Sequence, residues 1–302
     1  MFDFIRKLFA RPETTPAPRV EAATTAPLTE QQIQSIVNST AVRFDLQQLI
    51  AACGQSVGKQ RELNEDSLLA ITSTLAGNSG NVPFGLYVVA DGMGGHQFGE
   101  VASNSAIRTV AGYVMRKFHT YLFNLKPEPL DESLQEIMSA AVNEAQKVIQ
   151  REAPGSGTTL TAALVLGQQM TIAHVGDSRA YVVYNDGRIE TVTRDHSLVK
   201  RLEELGHITP EEAVNYPHRN VLYRALGQGE VLEPDIFTIP FPSSGCLMMC
   251  SDGLWGVISD QDIIRIVREA PNLQRACQSM VSAANAAGGP DNISVVLVQM
   301  IS

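Results

Sequence analysis

Aspartate residues stand at the ends of several apolar, strand-like segments of the chain, often beside glycine. Asp91, Asp177 and Asp252 follow such segments, and Asp66 and Asp291 stand just before one. A single Asp beside Gly usually marks a turn, because its side chain accepts hydrogen bonds from nearby backbone N–H groups. Four or five strand ends that each carry an Asp are less easily explained by turn chemistry alone.

The chemistry open to these carboxylates depends on whether the strand ends meet. Carboxylates that converge in a partly dehydrated site repel one another unless cations neutralise them. Carboxylate, carbonyl and water oxygens are the ligands that suit Mg²⁺ or Mn²⁺. Gly92 directly follows Asp91, and without a side chain its carbonyl can approach such a cation closely. The pattern therefore predicts a site for divalent cations at converging strand ends.

The elements that must position these residues are strands arranged as hairpins, with helices outside them. Strands are predicted where apolar runs rich in β-branched residues occur: Leu68–Ile71, Gly85–Ala90, Thr159–Leu166, Met170–His174, Ala180–Tyr184, Cys246–Cys250 and Ile293–Gln299. The Asp-Gly pair at 186–187 indicates a hairpin turn. Helical periodicity covers residues 134–149 and 273–284, and Ser259 is a candidate N-cap. Neighbouring hairpins favour antiparallel sheets over a doubly wound parallel sheet.

Composition and charge exclude several classes of protein. The chain has 302 residues, 44% of them hydrophobic and 18% charged, so a large core can form. A net charge of −9 argues against general affinity for nucleic-acid backbones. The four cysteines have no zinc-ligand spacing, and reduced thiols are expected. No transmembrane run or secretory signal is recognised, so a cytoplasmic location is expected.

Residues 1–44 form a predicted N-terminal extension. Residues 12–30 are dominated by Pro, Thr, Ala and Glu, a composition typical of disorder. The preceding residues 2–9 place Phe, Ile and Leu beside Arg and Lys. Two interpretations of this short segment stay open: a peptide that docks on a partner or membrane surface, and a frayed terminus.

An ordered series of short motifs runs through the rest of the chain. The motifs are Arg61–Asp66, Asp91–His96, Gly99–Ser103, Gly157–Thr159, Val175–Tyr181, Thr193–Ser197, Arg224–Gly227, Ser251–Leu254 and Gly288–Asn292. In this order they resemble the protein phosphatase 2C family, the metal-dependent Ser/Thr protein phosphatases, in its bacterial form. Each motif alone is weak, but the ordered set is highly specific, and the resemblance covers roughly residues 45 to 302.

The resemblance implies an α+β fold: a central sandwich of two antiparallel β-sheets flanked by α-helices, in four layers α-β-β-α. It places a centre of two Mn²⁺ or Mg²⁺ ions, with a third ion in bacterial members, at one end of the sandwich. Residues 198–220, which read as a charged helix–turn–helix, resemble the flap beside the active site. An inert surface insertion is the alternative for this segment.

By position, the resemblance assigns the metal ligands. It implies that Asp91 bridges the two metals and that the backbone carbonyl of Gly92 is a ligand. Asp252 and Asp291 match ligands of one metal. Asp66 matches an outer ligand that acts directly or through water.

Three further residues receive roles from the same resemblance. Asp177 matches the ligand of a third, weaker metal, and Arg61 matches the arginine that clamps the substrate phosphate. Outside the motif, a salt bridge from Arg61 to Glu62 or Glu65 would be the simpler interpretation. His96 is a candidate general acid for the leaving alkoxide, since an unperturbed imidazole titrates near pH 6.5. A structural His96, with a metal-bound water as the proton donor, is the alternative.

The function implied is hydrolysis of phosphoserine and phosphothreonine in proteins, including Ser/Thr kinases, by a monomer. Two metals about 3.5–4 Å apart can share a water and lower its pKa, so that hydroxide attacks phosphorus directly. One alternative is a regulatory binding module that has lost catalysis, which the complete set of matched aspartates disfavours. Another is a two-metal nuclease, against which the acidic charge weighs.

Overall fold

A computed structural model describes residues 46–77, 80–94, 98–124, 129–214, 216–229 and 232–301. All of them belong to the unit Phe44–Ser302. The predicted extension, residues 1–44, and the candidate acid His96 lie outside the described residues.

Two antiparallel sheets form the centre of the fold. The strands are β1 (Gln48–Ser56), β2 (Asp66–Gly77), β3 (Gly80–Met93), β4 (Gly157–Thr158), β5 (Leu160–Leu166), β6 (Gln169–Val175), β7 (Arg179–Tyr184), β8 (Ile189–Thr191), β9 (Asp235–Pro240), β10 (Gly245–Cys250) and β11 (Ile293–Ile301). One sheet has the order β1-β11-β10-β7-β8, and the other has the order β2-β3-β5-β6-β9 with β4 paired to β3. Every strand run predicted from the sequence lies in an observed strand. The predicted bounds of the runs in β5, β6, β7 and β10 agree to one residue, whereas β2, β3 and β11 are longer than predicted.

The described helices are α1 (Phe98–Phe123), α2 (Leu134–Glu152), α3 (Leu198–Glu204), α4 (Pro210–Val214), α5 (Asp252–Trp255), α6 (Asp260–Glu269) and α7 (Leu273–Ala286). None of these described helices combines the length and apolarity that crossing a bilayer would require. The predicted helices 134–149 and 273–284 are confirmed in α2 and α7. Ser259 caps α6 as predicted, since its hydroxyl accepts from the Asp262 N–H.

Three hydrophobic clusters hold four layers together. The middle cluster lies between the sheets and joins residues such as Tyr87 and Ile172 of one sheet to Leu247 and Val296 of the other. A second cluster packs α1 and α2 on the outer face of the β2–β9 sheet. A third packs α5, α6 and α7 on the outer face of the other sheet. The predicted α-β-β-α sandwich is therefore confirmed.

Local signals explain where these elements begin and turn. Ser133 and Glu136 form a capping box at the start of α2, in which each side chain accepts the other residue's backbone N–H. The predicted hairpin between β7 and β8 closes with a bond from the Tyr184 N–H to the Arg188 carbonyl. Gly187 adopts φ 94° in this turn, a conformation that glycine reaches at little cost.

The sequence analysis did not identify α1, β1 or β9. In α1 the buried face is a stripe of mostly small residues, among them Ala102, Ala106, Val110 and Val114, with Phe118 near its end. Small buried residues give a weak periodic signal, because the contrast in hydropathy between the two faces is low. The predicted surface excursion at 198–220 does contain two short helices, α3 and α4, and no residue of α3 is fully buried.

Candidate metal centre

The aspartates predicted as metal ligands come from both sheets and meet at one end of the sandwich. Asp66 and Asp91 are directly opposite each other in the β2–β3 register. Asp252 follows β10 and Asp291 precedes β11. These two strands are antiparallel neighbours, so both residues lie at the same end of the sheet. The Ser251 hydroxyl donates to Asp66 Oδ2 across 2.7 Å, which joins the two sheets at this point.

The electrostatics of Asp66 show that these carboxylates share one poorly hydrated volume. The pKa of Asp66 is raised to about 7, first by burial and also by the charges of Asp252 and Asp291. Hydrogen bonds from Ser251 and Ser294 oppose the rise but do not cancel it. The raised pKa indicates that the protein's own positively charged groups do not neutralise this cluster.

The same physical causes act on the other acids of the cluster. Burial raises the pKa of Asp91 well above its usual range, and the charges of Asp66, Asp252 and Asp177 add to the effect. The Asp252 side chain is within hydrogen-bond reach of Asp91, and its pKa is raised first by burial and then by Asp291. Asp177 has its pKa raised by burial and then by Asp252, so it belongs to the same electrostatic cluster.

Two carboxylate oxygens of the cluster are incompletely satisfied. Asp66 Oδ1 and Asp252 Oδ1 are buried and accept no hydrogen bond from any described residue. Leaving a buried charged acceptor unpaired is costly, so these oxygens require a cation or ordered water. Among the described residues, no group of three or more Asp, Glu, His or Cys side chains is arranged so that it could hold a metal ion by itself. Mg²⁺ and Mn²⁺ fit such a site, because both also accept carbonyl and water oxygens.

Gly92 occupies a position that has no room for a side chain. A Cβ atom there would lie 2.2 Å from the Gly99 carbonyl oxygen and 2.6 Å from that of Glu65. The Gly92 N–H donates to the Glu65 carbonyl across 3.1 Å. The missing side chain therefore lets the start of α1 pack against the end of β3. The role of the Gly92 carbonyl as a metal ligand stays a prediction.

The Gly157-Thr158-Thr159 motif holds the backbone of Asp91. Thr159 donates its N–H to the Asp91 carbonyl across 2.8 Å, and its hydroxyl oxygen accepts the Asp91 N–H across 2.9 Å. The Thr158 hydroxyl donates to the same Asp91 carbonyl across 2.9 Å. These bonds fix the direction in which the Asp91 carboxylate projects.

Arg61 lies at the edge of the acidic cluster. Its Nη2 donates to Asp291 Oδ2 across 2.7 Å, and its side chain is 49% exposed. The sequence analysis had named Glu62 or Glu65 as its simplest partners, and the structure pairs it with Asp291. A guanidinium carries five N–H donors, so the bond to Asp291 leaves others with which Arg61 can bind an anion.

Asn292 is a positioning residue that the sequence analysis missed. Its Oδ1 accepts the Glu65 N–H across 2.8 Å, and its Nδ2 donates to the carbonyls of Val57 and Leu63, each across 2.8 Å. One buried amide thus fixes the loop that carries Arg61. The available signal was its place next to Asp291 in a motif, combined with the frequent use of buried Asn to satisfy loop backbone.

The two described histidines near Asp177 bond to neighbouring backbone and hydroxyl groups and support structure. His174 is fully buried, with Nδ1 3.0 Å from Thr161 Oγ1 and Nε2 3.1 Å from the Arg194 carbonyl oxygen. Burial lowers the pKa of His174 to about 3. His196 Nδ1 accepts the Gly176 N–H across 3.1 Å. The candidate general acid His96 lies outside the described residues, so its role stays a prediction.

Comparison with known families agrees with this geometry. The profile of the family described as "Protein phosphatase 2C" matches residues 51–293. The serine/threonine phosphatase stp of Listeria innocua is 37% identical over 222 residues, which cover 71% of this chain and 84% of that protein. The stp protein of Listeria monocytogenes is 36% identical over 250 residues, covering 80% of this chain and 92% of that protein.

Solved structures give the same result. The Mycobacterium tuberculosis serine/threonine phosphatase PstP/Ppp superimposes with a TM-score of 0.69 at 32% identity, over 84% of this chain and 100% of that chain. The catalytic domain of PstP in complex with two manganese ions gives a TM-score of 0.67 at 31% identity, over 85% of this chain and 100% of that one. The chain belongs to the protein phosphatase 2C family.

Proposed function

We propose that the protein is a metal-dependent protein serine/threonine phosphatase that hydrolyses phosphoserine and phosphothreonine with water as the nucleophile. The observation that carries this proposal is the convergence of Asp66, Asp91 and Asp252, from both sheets, on one cation-deficient site beside Arg61. The family membership, the relatives named serine/threonine phosphatase and the two manganese ions of PstP support the proposal.

The acidic cluster supplies the ligands that this reaction requires. Asp91, the carbonyl of Gly92, Asp252 and Asp291 would hold two Mn²⁺ or Mg²⁺ ions, with Asp66 as an outer ligand. When bound, the ions supply charge neutralisation for the phosphate and a water of lowered pKa.

Arg61 is proposed to bind the substrate phosphate. A planar guanidinium can donate to two phosphate oxygens at once, and half of the Arg61 side chain is open to solvent. Without cations, the neighbouring carboxylates would repel a phosphate dianion. Substrate binding should therefore depend on metal as strongly as the chemical step does.

A cysteine nucleophile is not part of the proposal. Burial raises the pKa of Cys246 and of Cys277 to about 12, and it also raises those of Cys53 and Cys250. None of the four thiols is therefore a thiolate near neutral pH. The proton for the leaving alkoxide is assigned to His96, with a water at the metal site as the alternative donor.

The proposal extends to the substrates, the oligomeric state, the location and the domain boundaries of the protein. Phosphorylated Ser/Thr kinases are proposed among the substrates, and a monomer in the cytoplasm is the proposed state. Residues 45–302 are proposed as the catalytic domain, with residues 198–220 as a flap that limits access to the site. Residues 1–44 are proposed as an N-terminal extension through which the protein contacts a partner or a membrane surface.

The test is turnover by the purified full chain with Mn²⁺, with Mg²⁺ or with EDTA. The substrates are phosphoserine and phosphothreonine peptides, single-stranded DNA and nitrophenyl phosphate. We expect phosphate release from the peptides only with a divalent ion, and intact DNA. Cleavage of DNA with untouched peptides would indicate the nuclease, and peptide binding without turnover would indicate a regulatory module; either result contradicts the proposal.

A further inference from the structure

Trp255 connects two of the proposed metal ligands: it lies on the same short helix as Asp252, and its indole donates a hydrogen bond to the backbone carbonyl of Asp177. It ends the one-turn helix α5, which begins with Asp252. Its indole Nε1 donates to the carbonyl oxygen of Asp177 across 3.0 Å, although the two residues are 78 positions apart in the sequence. The same short helix therefore carries one proposed ligand and contacts the main chain of another.

The ring of Trp255 is itself held in place by Arg179. The guanidinium carbon of Arg179 lies 3.5 Å from the centroid of the indole ring. Arg179 Nε and Nη2 donate to the two carboxylate oxygens of Asp195 across 2.9 and 2.7 Å, and Nη1 donates to the Tyr181 hydroxyl across 3.1 Å. Since the Asp195 side chain is only 7% exposed, this bidentate pair restricts the movement of the stacked guanidinium.

The turn that carries Asp177 is held on both sides of this residue: the His196 N–H donates to the Gly176 carbonyl across 2.7 Å, and the Thr161 hydroxyl donates to the Ser178 carbonyl across 2.8 Å. Gly176 precedes Asp177 with φ 106°, in a region that glycine samples freely. A Cβ atom at Gly176 would lie 2.6 Å from Thr159 Cγ2, so a stiffer residue cannot take its place. The hydrogen bond from Trp255 adds a contact to the carbonyl of Asp177 itself, and it restricts the peptide unit next to the carboxylate.

We propose that Trp255 is a positioning residue for a cation at Asp177, and that it couples this turn to the Asp252 helix. The inference rests on the proposed function, because that proposal assigns a third, weaker ion to Asp177. Contacts that orient a ligand from outside the metal site commonly change metal affinity by about 10- to 100-fold. Trp255 thus acts through Asp177 and does not touch the ion.

The experiment compares Trp255→Phe with wild type in Mn²⁺ titrations of the full chain by calorimetry. Phenylalanine keeps an aromatic ring beside Arg179 but removes the N–H donor. We expect the tighter binding events to be unchanged and the dissociation constant of the weakest event to rise roughly tenfold. Tyr184→Phe is the matched control, because it removes only an exposed hydroxyl contact to Glu190 on the neighbouring part of β7.

Asp177→Asn separates this inference from the assignment on which it rests. We expect Asp177→Asn to remove the weakest event and Trp255→Phe to have no further effect in that background. If Asp177→Asn removes the event but Trp255→Phe leaves it unchanged, or weakens every event equally, the positioning role is wrong. If Asp177→Asn changes nothing, the proposed third ligand is wrong, and the inference fails with it.

A second measurement does not depend on the folding of the Trp255 variant. Trp255 is the only tryptophan of the chain, so its fluorescence reports on this contact. Titration with Mg²⁺, which is not paramagnetic, should change the emission of wild type at the weakest event, and Asp177→Asn should abolish that change. An emission that ignores Mg²⁺, or that responds identically in Asp177→Asn, would contradict the proposal.

Discussion

Two neighbouring clusters of buried charge differ in how their charge is balanced. In the acidic cluster, formed by Asp66, Asp91, Asp177, Asp252 and Asp291, burial first and neighbouring carboxylates next raise the pKa of Asp66 and Asp91, and two buried oxygens accept no bond from described residues. In the arginine cluster, formed by Arg179, Asp195, Tyr181 and Trp255, a bidentate ion pair and a stacked ring satisfy the buried groups. The first cluster needs ions from solution, and the second is complete within the chain.

This difference indicates which cluster does chemistry and which supports it. A carboxylate cluster without enough cation is costly for a folded protein and persists where function requires it. A buried pair with good geometry adds rigidity without attracting ligands. The contact between Trp255 and Asp177 places the rigid cluster directly against the one that needs ions.

The strongest test removes one charge from the acidic cluster. Asp91→Asn, or Asp252→Asn, should reduce phosphopeptide turnover with Mn²⁺ by roughly 1,000-fold or more, because positioning and charge neutralisation at the metal centre are lost together. Both variants should fold, and in EDTA their melting temperatures should equal or exceed that of wild type, since repulsion falls.

Asp186→Asn is the matched control for this test. Asp186 is an exposed aspartate of the β7–β8 turn, bonded to Arg188. The Asp186→Asn substitution should change neither phosphopeptide turnover nor the melting temperature in EDTA appreciably. Full activity of Asp91→Asn with metal bound would remove the catalytic assignment of the acidic cluster.

The arginine cluster should respond in the opposite sense, by losing stability. Arg179→Met leaves the buried Asp195 without its partner and should lower the free energy of unfolding by about 3 kcal/mol. Urea denaturation measures this loss. The double variant Arg179→Met, Asp195→Leu should recover much of it, because no unpaired buried charge remains. A single variant as stable as wild type would show that the pair is not structurally important.

The pH dependence of metal-free stability sharpens the contrast. The pKa of Asp66 is raised from 3.8 to about 7 in the folded protein. Between these values the folded state binds the proton more tightly than the unfolded state, so the free energy of unfolding falls as pH rises through the window.

Asp66→Asn isolates this effect from other titrating groups. In EDTA, its gain in stability over wild type should be larger at pH 8 than at pH 5.5 by about 2 kcal/mol. Mn²⁺ should abolish this difference between pH 8 and pH 5.5, because in wild type the cation takes the place of the proton and stabilises the ionised Asp66. The buried His174 gives a dependence of opposite sign below pH 6.5, which is why the comparison is made between variants. A gain that is larger at pH 5.5 would contradict the interpretation.

The sequence was sufficient to predict the sandwich and the convergence of its aspartates. Strand runs with Asp and Gly at their ends carry this information locally, and the ordered motifs fix which ends meet. Helix α1 was missed because small residues such as Ala102 and Ala106 bury its face with little hydropathy contrast.

Contacts between distant segments could not be predicted in the same way. The amide of Asn292 is bonded to Glu65, Val57 and Leu63, and the indole of Trp255 to Asp177. No hydrophobic periodicity or motif spacing in the sequence signals these contacts, because each depends on where two loops lie after the sheets have packed. The pairing of Arg61 with Asp291 was not predicted for the same reason: Asp291 is 230 residues away, whereas the alternative partners Glu62 and Glu65 are near in the sequence.

Arg61 pairs with Asp291 at the edge of the acidic cluster, and 49% of its side chain is nevertheless exposed to solvent. Arg61→Ala should raise KM for phosphopeptide and lower kcat/KM by roughly tenfold, since one charge-assisted, bidentate contact to phosphate is lost. The tight Mn²⁺ events should persist in calorimetry, which separates substrate binding from metal binding. Arg61→Lys should restore the charge but not the planar fork, and so should recover only part of kcat/KM. Unchanged KM and kcat/KM in Arg61→Ala would mean that this guanidinium serves only to pair with Asp291.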